Sequence, residues 1–266
     1  NKMKKYLVIG NPVEHSLSPK LHNYWIKKNN IVAVYDKKLL KQDEIYGIIS
    51  EIKKGEIKGI NVTLPFKKIV IPFMDELSDE AKKSQSVNTI YKENNKIIGH
   101  NTDIAGFELG IRHFKYDIKN KKILILGAGG VVSSIILALK KMEASQIILS
   151  NRTKQKAENL KILFKNLNVV EWGNLSEFDV VINATSLGLN NEKINLNFSS
   201  SGNDKLFYDV IYNPQETQFL KMGKQLGCKT ENGKTMFVYQ ALEAFKLWHS
   251  IEPKVNTDTF KLLDND

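Results

Sequence analysis

One cysteine, Cys228, stands in 266 residues. A single thiol cannot close an internal disulfide, and nothing near it has metal-ligand spacing. The expectation is a reducing, cytoplasmic setting. Histidine is scarce as well, with five copies. His15, His22 and His100 stand isolated, so no metal site is expected. Long apolar runs are missing. The longest charge-free stretch, Ile123–Leu139, is too short for a comfortable membrane span and carries a glycine cluster, so no membrane partner is expected. The N-terminus, N-K-M-K-K-Y-L-V-I-G, reads as a basic start into a strand, not as a signal peptide. No internal repeat and no low-complexity linker occurs. Acidic residues are in deficit, and the formal net charge is +10. The lysines are spread along the whole length instead of forming one stripe, which argues against a nucleic-acid partner. Diffuse positive charge acts on solubility and can steer an anionic substrate or cofactor.

What is present is an alternation of strand-like and helix-like segments in a chain that is 42% hydrophobic and 26% charged, the balance of a soluble globular protein. Tyr6–Ile9, Val32–Tyr35 and Ile57–Leu64 read as strands, Pro19–Lys28 and Gln42–Lys53 as helices. Helical segments are expected at Phe66–Ile69 and Glu76–Gln85. A hairpin of Val87–Tyr91 and Lys96–Gly99 follows, and then a helix, Asp103–Phe114, capped by N-T-D. A second unit opens with strand Ile123–Leu126 and helix Val131–Met142. It continues with Gln146–Ser150, helix Lys154–Lys165, strands Asp179–Asn183 and Leu206–Ile211, and helix Glu216–Leu226. The tail, Met236–His249, is an amphipathic helix. Such alternation predicts two α/β domains with parallel sheets, divided near Asp103.

I-L-I-L-G-A-G-G, Ile123 to Gly130, is a strand, a glycine turn and a helix start. Gly127, Ala128, Gly129 and Gly130 let a backbone approach a pyrophosphate resting on the helix N-terminus. Val132 stands where the fingerprint calls for Gly or Ala, which questions the closeness of helix and strand. About 20 residues on, an NAD site needs an acid for the ribose hydroxyls. Here the chain reads S-N-R-T-K-Q-K. Arg152 and Lys156, with Asn151 and Thr153, suit a 2′-phosphate, so NADP(H) is the expected cofactor.

Three polar clusters follow strand ends. N-V-T-L-P-F-K supplies Asn61, Thr63 and Lys67; S-V-N-T supplies Asn88; N-T-D supplies Asn101 and Asp103. Together they offer the amide, hydroxyl, ammonium and carboxylate groups that a small polyhydroxylated molecule requires. In N-P-V-E-H-S-L-S-P, Ser18 is a natural N-cap with Pro19 as first helical residue. Ser16 and Ser18 beside a helix start also suit a small anion.

In order and over nearly the whole chain, S-L-S-P, N-V-T-L-P-F-K, S-V-N-T, N-T-D, G-A-G-G, N-R-T, N-A-T-S and Y-D-V-I-Y-N-P resemble the shikimate dehydrogenase family, as does the region of Gln240. The resemblance implies two α/β domains. Residues 1–103 plus 234–266 would form the substrate domain, with a mainly parallel sheet, and 104–233 a Rossmann-type doubly wound NADP domain. It implies reversible reduction of 3-dehydroshikimate to shikimate by NADPH, with Lys67 and Asp103 as the catalytic pair. Ser16, Ser18 and Tyr212 would hold the substrate carboxylate; Thr63, Lys67, Asn88, Asp103 and Gln240 would hold the ring hydroxyls. Ala184, Thr185, Ser186, Gly233 and Met236 would lie along the cofactor, and the chain would act as a monomer or homodimer.

Two departures stand out. Ser133 follows the glycine loop where many members carry Arg or Lys, which shifts weight to Arg152 and Lys156. His100 precedes N-T-D where Asp is frequent, and a histidine there could add pH dependence. Three rivals remain at this stage: a quinate/shikimate dehydrogenase of relaxed specificity, a non-catalytic nucleotide-binding regulator, and a nucleic-acid binder acting through the basic surface, whose affinity would depend strongly on salt.

Overall fold

The spacing Ile45, Ile48, Ile49, Ile52 puts four isoleucines on one face of a helix, and all four are buried. Each contributes about 1.5 to 3 kcal/mol by leaving water. The same rule organises the whole chain. In the computed structural model, residues 2–199 and 202–264 are described; Asn1 and Asp266, the outer ends of the expected domain ranges, lie outside them.

By contact density the chain forms two units, residues 1–106 with 238–266, and residues 107–237. The first contains β1 (Lys4–Gly10), α1 (Ser18–Lys28), β2 (Ala33–Leu39), α2 (Ile45–Lys53) and β3 (Gly59–Val62). Then come β4 (Glu76–Leu77), α3 (Asp79–Ser84), β5 (Thr89–Glu93), β6 (Lys96–His100) and the start of α4 (Asp103–Phe114). Its sheet runs β2-β1-β3-β5-β6-β4. β2, β1 and β3 are parallel, β5 runs antiparallel to both β3 and β6, and β4 is parallel to β6. Ile9, Ile60, Val62, Phe66, Val87 and Ile90 fill one core beneath it.

The second unit contains β7 (Lys122–Leu126), α5 (Val132–Lys141), β8 (Gln146–Ser150), α6 (Lys154–Asn159) and β9 (Asn168–Val170). It continues with β10 (Val180–Asn183), β11 (Leu206–Asp209), α7 (Gln218–Gln225), β12 (Lys229–Asn232) and the start of α8 (Lys234–His249). The last helix, α9 (Thr257–Leu262), belongs to the first unit. The second sheet is parallel throughout, in the order β12-β11-β10-β7-β8-β9. The order reverses between β7 and β10, the switch point at which open doubly wound sheets bind ligands beyond their strand ends.

Several expected elements differ. Phe66–Ile69 is a succession of turns, followed by a 3-10 turn at Ile71–Phe73. Phe66 and Val70 are pinned into the core from this irregular backbone, which explains their helical spacing. Glu76–Leu77 pairs with β6 as a short strand, so α3 starts only after Ser78, whose hydroxyl accepts from the Ala81 N–H. The helix expected over Lys154–Lys165 ends at Asn159 and tightens into a 3-10 turn, Leu160–Ile162. Strands β9 and β12 carry no apolar alternation; parallel pairing with β8 and β11 makes them strands. Among the described residues no helix is long and apolar enough to cross a membrane.

Candidate active site

In the first unit, β3 runs out at Val62 and hands the chain to Thr63-Leu64-Pro65-Phe66-Lys67. The Thr63 N–H donates to the Ile9 carbonyl at 2.9 Å, and the Lys67 carbonyl accepts from the Val87 N–H at 2.8 Å. A β-carbon on Gly10 would collide with the Thr63 methyl, so the glycine that ends β1 lets this turn close over it. From the other side, Asn101 caps α4. Its Oδ1 accepts from the Asp103 N–H at 2.8 Å and the Ile104 N–H at 3.2 Å, while its amide donates to Ser84 Oγ and the Ser86 carbonyl. That anchor fixes Asp103 at the helix start.

Lys67 Nζ donates to Asp103 Oδ2 at 2.7 Å, with only 18% and 7% of the two side chains exposed. The second oxygen, Oδ1, accepts from Asn88 Nδ2 at 3.2 Å. Ammonium, carboxylate and amide thus meet in one place. An ion pair this buried needs such extra bonds to offset its desolvation. Gln240 lies partly buried on α8 in the same unit.

The helix start is capped differently from the expectation. Ser18 is the first residue of α1, and the capping position is Leu17. The capping oxygen comes from Ser16, whose Oγ accepts from the Ser18 N–H at 3.3 Å. Ser18 is buried. An anion at this helix start would meet both hydroxyls. His100 is held by Ser78 Oγ at 2.7 Å and lies 3.7 Å from Glu80. Burial lowers its pKa, against the opposing pull of Glu80 and Glu243.

In the second unit the loop at 127–131 joins β7 to α5. Gly127 has φ +116°, and a β-carbon there would lie 2.7 Å from the Ala184 carbonyl oxygen. Only glycine fits. Gly129 is the opposite: it is exposed, and nothing lies within 4 Å of where its β-carbon would be. That open space above the N-terminus of a ten-residue helix suits the pyrophosphate of a dinucleotide. Val132 is fully buried, so the sheet accommodates the larger residue. Ser133 is buried too, with no hydrogen-bond partner for its hydroxyl.

β8 ends at Ser150, and no acid follows it. Asn151 Nδ2 donates to the Thr153 carbonyl at 2.9 Å, turning the chain. Arg152 is exposed with its guanidinium 5.7 Å from the centre of the Trp172 ring, and Lys156 is exposed on α6. These two cations, with no carboxylate supplied by the turn, suit a 2′-phosphate. Trp172 was invisible to sequence reasoning, because it lies in a turn after a three-residue strand.

Ala184, Thr185 and Ser186 follow β10. Buried Asn183 accepts from the Thr185 N–H at 3.1 Å and Oγ1 at 2.6 Å, and donates to the Leu187 carbonyl and Asp209 Oδ1. Asp209 also accepts from Thr217 Oγ1 at 2.6 Å. Burial raises the Asp209 pKa to about 6, against those donors. The loop beyond β10 is therefore tied down from beneath. Gly233 has no room for a side chain beside the Val210 carbonyl, and Met236 is buried in the first turn of α8. Tyr212 lies in this second unit, its ring centroid 4.9 Å from that of Phe237. Among the described residues no group of three or more His, Cys, Asp or Glu could hold a metal ion.

Comparison with known proteins finds relatives over nearly the whole chain. A model of the shikimate dehydrogenase substrate binding domain matches residues 8–90, and one of shikimate / quinate 5-dehydrogenase matches residues 108–214. A shikimate dehydrogenase (NADP(+)) of Pelagibacter ubique is 59% identical over 262 residues, covering 98% of this chain and 99% of the relative. The crystal structure of shikimate dehydrogenase from Aquifex aeolicus is 37% identical, with a TM-score of 0.87 over 99% of this chain and 98% of that one. That of the Thermus thermophilus shikimate 5-dehydrogenase in complex with NADP(H) and shikimate is 28% identical, with a TM-score of 0.89 over 98% and 99%.

Proposed function

We propose that this chain, which belongs to the shikimate dehydrogenase family, catalyses the reversible NADP-dependent interconversion of 3-dehydroshikimate and shikimate. The observation that carries the chemistry is the Lys67–Asp103 pair, closed at 2.7 Å and nearly buried. Ser16 and Ser18, at the start of α1, hold the substrate carboxylate. Thr63, Asn88 and Gln240, with the pair itself, hold the ring hydroxyls and so fix which hydroxyl meets Lys67.

NADPH, when bound by the glycine loop at 127–130, Arg152 and Lys156, supplies the hydride that reduces the ketone. The residues manage the proton. Lys67 Nζ uses one N–H on Asp103 and offers the others to the substrate oxygen, which gains negative charge as the carbonyl is reduced. It stabilises that charge and delivers a proton to it. Asp103 aims the ammonium and supports its positive charge. In the oxidation direction the pair receives the same proton. Ala184, Thr185, Ser186, Gly233 and Met236 line the cofactor. The reaction is proposed to run in the cytoplasm, consistent with a lone, buried thiol at Cys228.

The test is absorbance at the reduced-nicotinamide band, with shikimate and NADP⁺ and with quinate and NAD⁺ in parallel. Rapid reduction with shikimate and NADP⁺, lost in Lys67→Ala, is expected. Comparable turnover of quinate would replace this reading by the dual-specificity one. No turnover in any combination from folded protein would refute a dehydrogenase.

A further inference from the structure

Behind the Lys67–Asp103 pair the polar side chains of the first unit continue inward as one run of hydrogen bonds. Its direction is set by backbone groups, which can act in one sense only. The Thr102 N–H can only donate, and it meets Asn88 at 2.8 Å; the atom there is therefore Oδ1. Nδ2 of Asn88 must face Thr102 Oγ1 at 2.8 Å and Asp103 Oδ1 at 3.2 Å. The Asn88 carbonyl can only accept, and it meets Asn61 at 3.2 Å, so that atom is Nδ2. Oδ1 of Asn61 then faces the Tyr35 hydroxyl at 2.7 Å, and Tyr35 must donate to it. Thr89 Oγ1 links the two amides, accepting from Asn61 Nδ2 at 3.2 Å and donating to Asn88 Oδ1 at 3.0 Å. The Tyr35 hydrogen is thus committed to Asn61.

Tyr35 is more firmly placed than packing requires. It is 2% exposed on β2. Asn23 of α1 grips both its backbone groups, donating to its carbonyl at 2.8 Å and accepting from its N–H at 2.9 Å. Its ring stacks on His22, with centroids 4.3 Å apart and planes 6° from parallel. A phenylalanine would keep all of this. The hydroxyl alone joins the run that ends on Asp103.

We propose that Tyr35 is a positioning residue for the reaction: through Asn61, Thr89 and Asn88 its hydroxyl steadies the amide that holds Asp103 Oδ1, and so the aim of Asp103 Oδ2 on Lys67. This rests on the dehydrogenase reading above. Without the hydroxyl, Asn61 Oδ1 is buried with no donor; the backbone groups still orient the amides, but Asn61 and the Thr89 hydroxyl it meets are held less firmly. Asp103 is then aimed less well, whereas Ser16 and Ser18 still meet the substrate carboxylate. The loss falls on kcat. A role in packing alone would leave both kcat and KM of Tyr35→Phe at the wild-type values.

Tyr35→Phe, Thr89→Val and the double variant, assayed in the intact chain for shikimate oxidation by NADP⁺, test this. Each single variant is expected to lower kcat about tenfold, the scale of one hydrogen bond's support lost from the transition state, and to change KM less than about threefold. The double variant is expected to be no slower than about the slower single, because both cut the same run. Tyr35→Phe at wild-type kcat, an effect on KM in place of kcat, or additive losses would overturn the proposal. If Tyr35→Phe fails to fold, Thr89→Val decides by the same split. An inactive wild type would instead overturn the dehydrogenase reading, and the role of Tyr35 with it.

Discussion

Replacing His22 by phenylalanine should make folding less sensitive to acid. His22 is 1% exposed, stacked on Tyr35, and within 6.0 Å, centroid to centroid, of Trp25, Phe245 and Trp248. Neither of its ring nitrogens has a hydrogen-bond partner. Burial is the main cause that lowers its pKa to about 3, and neighbouring His249 is the second. His249, lowered to about 4 by burial and by Lys4, is the titratable ring that faces it, with Tyr35 and Tyr6 beside them. A folded pKa depressed below the unfolded value of about 6.5 means that only the unfolded chain binds the proton in between. Stability is therefore fully present above about pH 6.5 and falls as the pH drops toward the folded value. Linkage gives about 1.4 kcal/mol per pH unit per proton, or about 2.7 kcal/mol from His22 between pH 7.5 and pH 4.5. That figure is insensitive to how far below 4.5 the folded pKa lies. Phenylalanine keeps the stack and cannot titrate. Urea unfolding at pH 7.5, 6.5, 5.5 and 4.5 should show wild type losing about 2.7 kcal/mol more than His22→Phe across the range. Equal losses, within about 0.5 kcal/mol, would refute the reasoning.

Two further predictions concern the second unit. Replacing Arg152 and Lys156 together by glutamine should raise the KM for NADP⁺ at least about tenfold, since each charge-assisted bond to a phosphate contributes more than a neutral one. The KM for NAD⁺ should stay within about threefold, and equal effects on both cofactors would place the 2′-phosphate elsewhere. Gly127→Ala should lower stability by about 2 kcal/mol or more, because alanine must adopt a positive φ against the Ala184 carbonyl. Thermal unfolding would show it, and an unchanged midpoint would contradict the fit.

Much of this was legible in the sequence where local rules decide. The isoleucine spacing of α2 and the strand-glycine-helix pattern at Gly127 each describe one contiguous segment, and each is found where expected. Lys67 and Asp103 are 36 residues apart, and the family resemblance, not any periodicity, paired them. What escaped was decided by partners distant in sequence. β12 is not among the expected strands, because polar residues such as Lys229, Glu231 and Asn232 carry no apolar pattern and the segment is extended by pairing with its neighbour. Ser18 has the right chemistry for a cap, yet Ser16, two residues earlier, supplies the oxygen. Trp172 needed the return of the chain after β9 to reach Arg152.

The groups proposed to handle the proton, Lys67, Asp103, Asn88 and the run back to Tyr35, lie in residues 1–106, whereas the glycine loop, Arg152 and Lys156 lie in residues 107–237. Selection can therefore act on the two with little interference. A descendant could exchange N-R-T for an acidic turn and draw on a different cellular pool of reduced nicotinamide while still oxidising the same alcohol. Another could alter the strand ends around Thr63 and accept a new alcohol while keeping its coenzyme. A gene built this way can drift along either axis one substitution at a time.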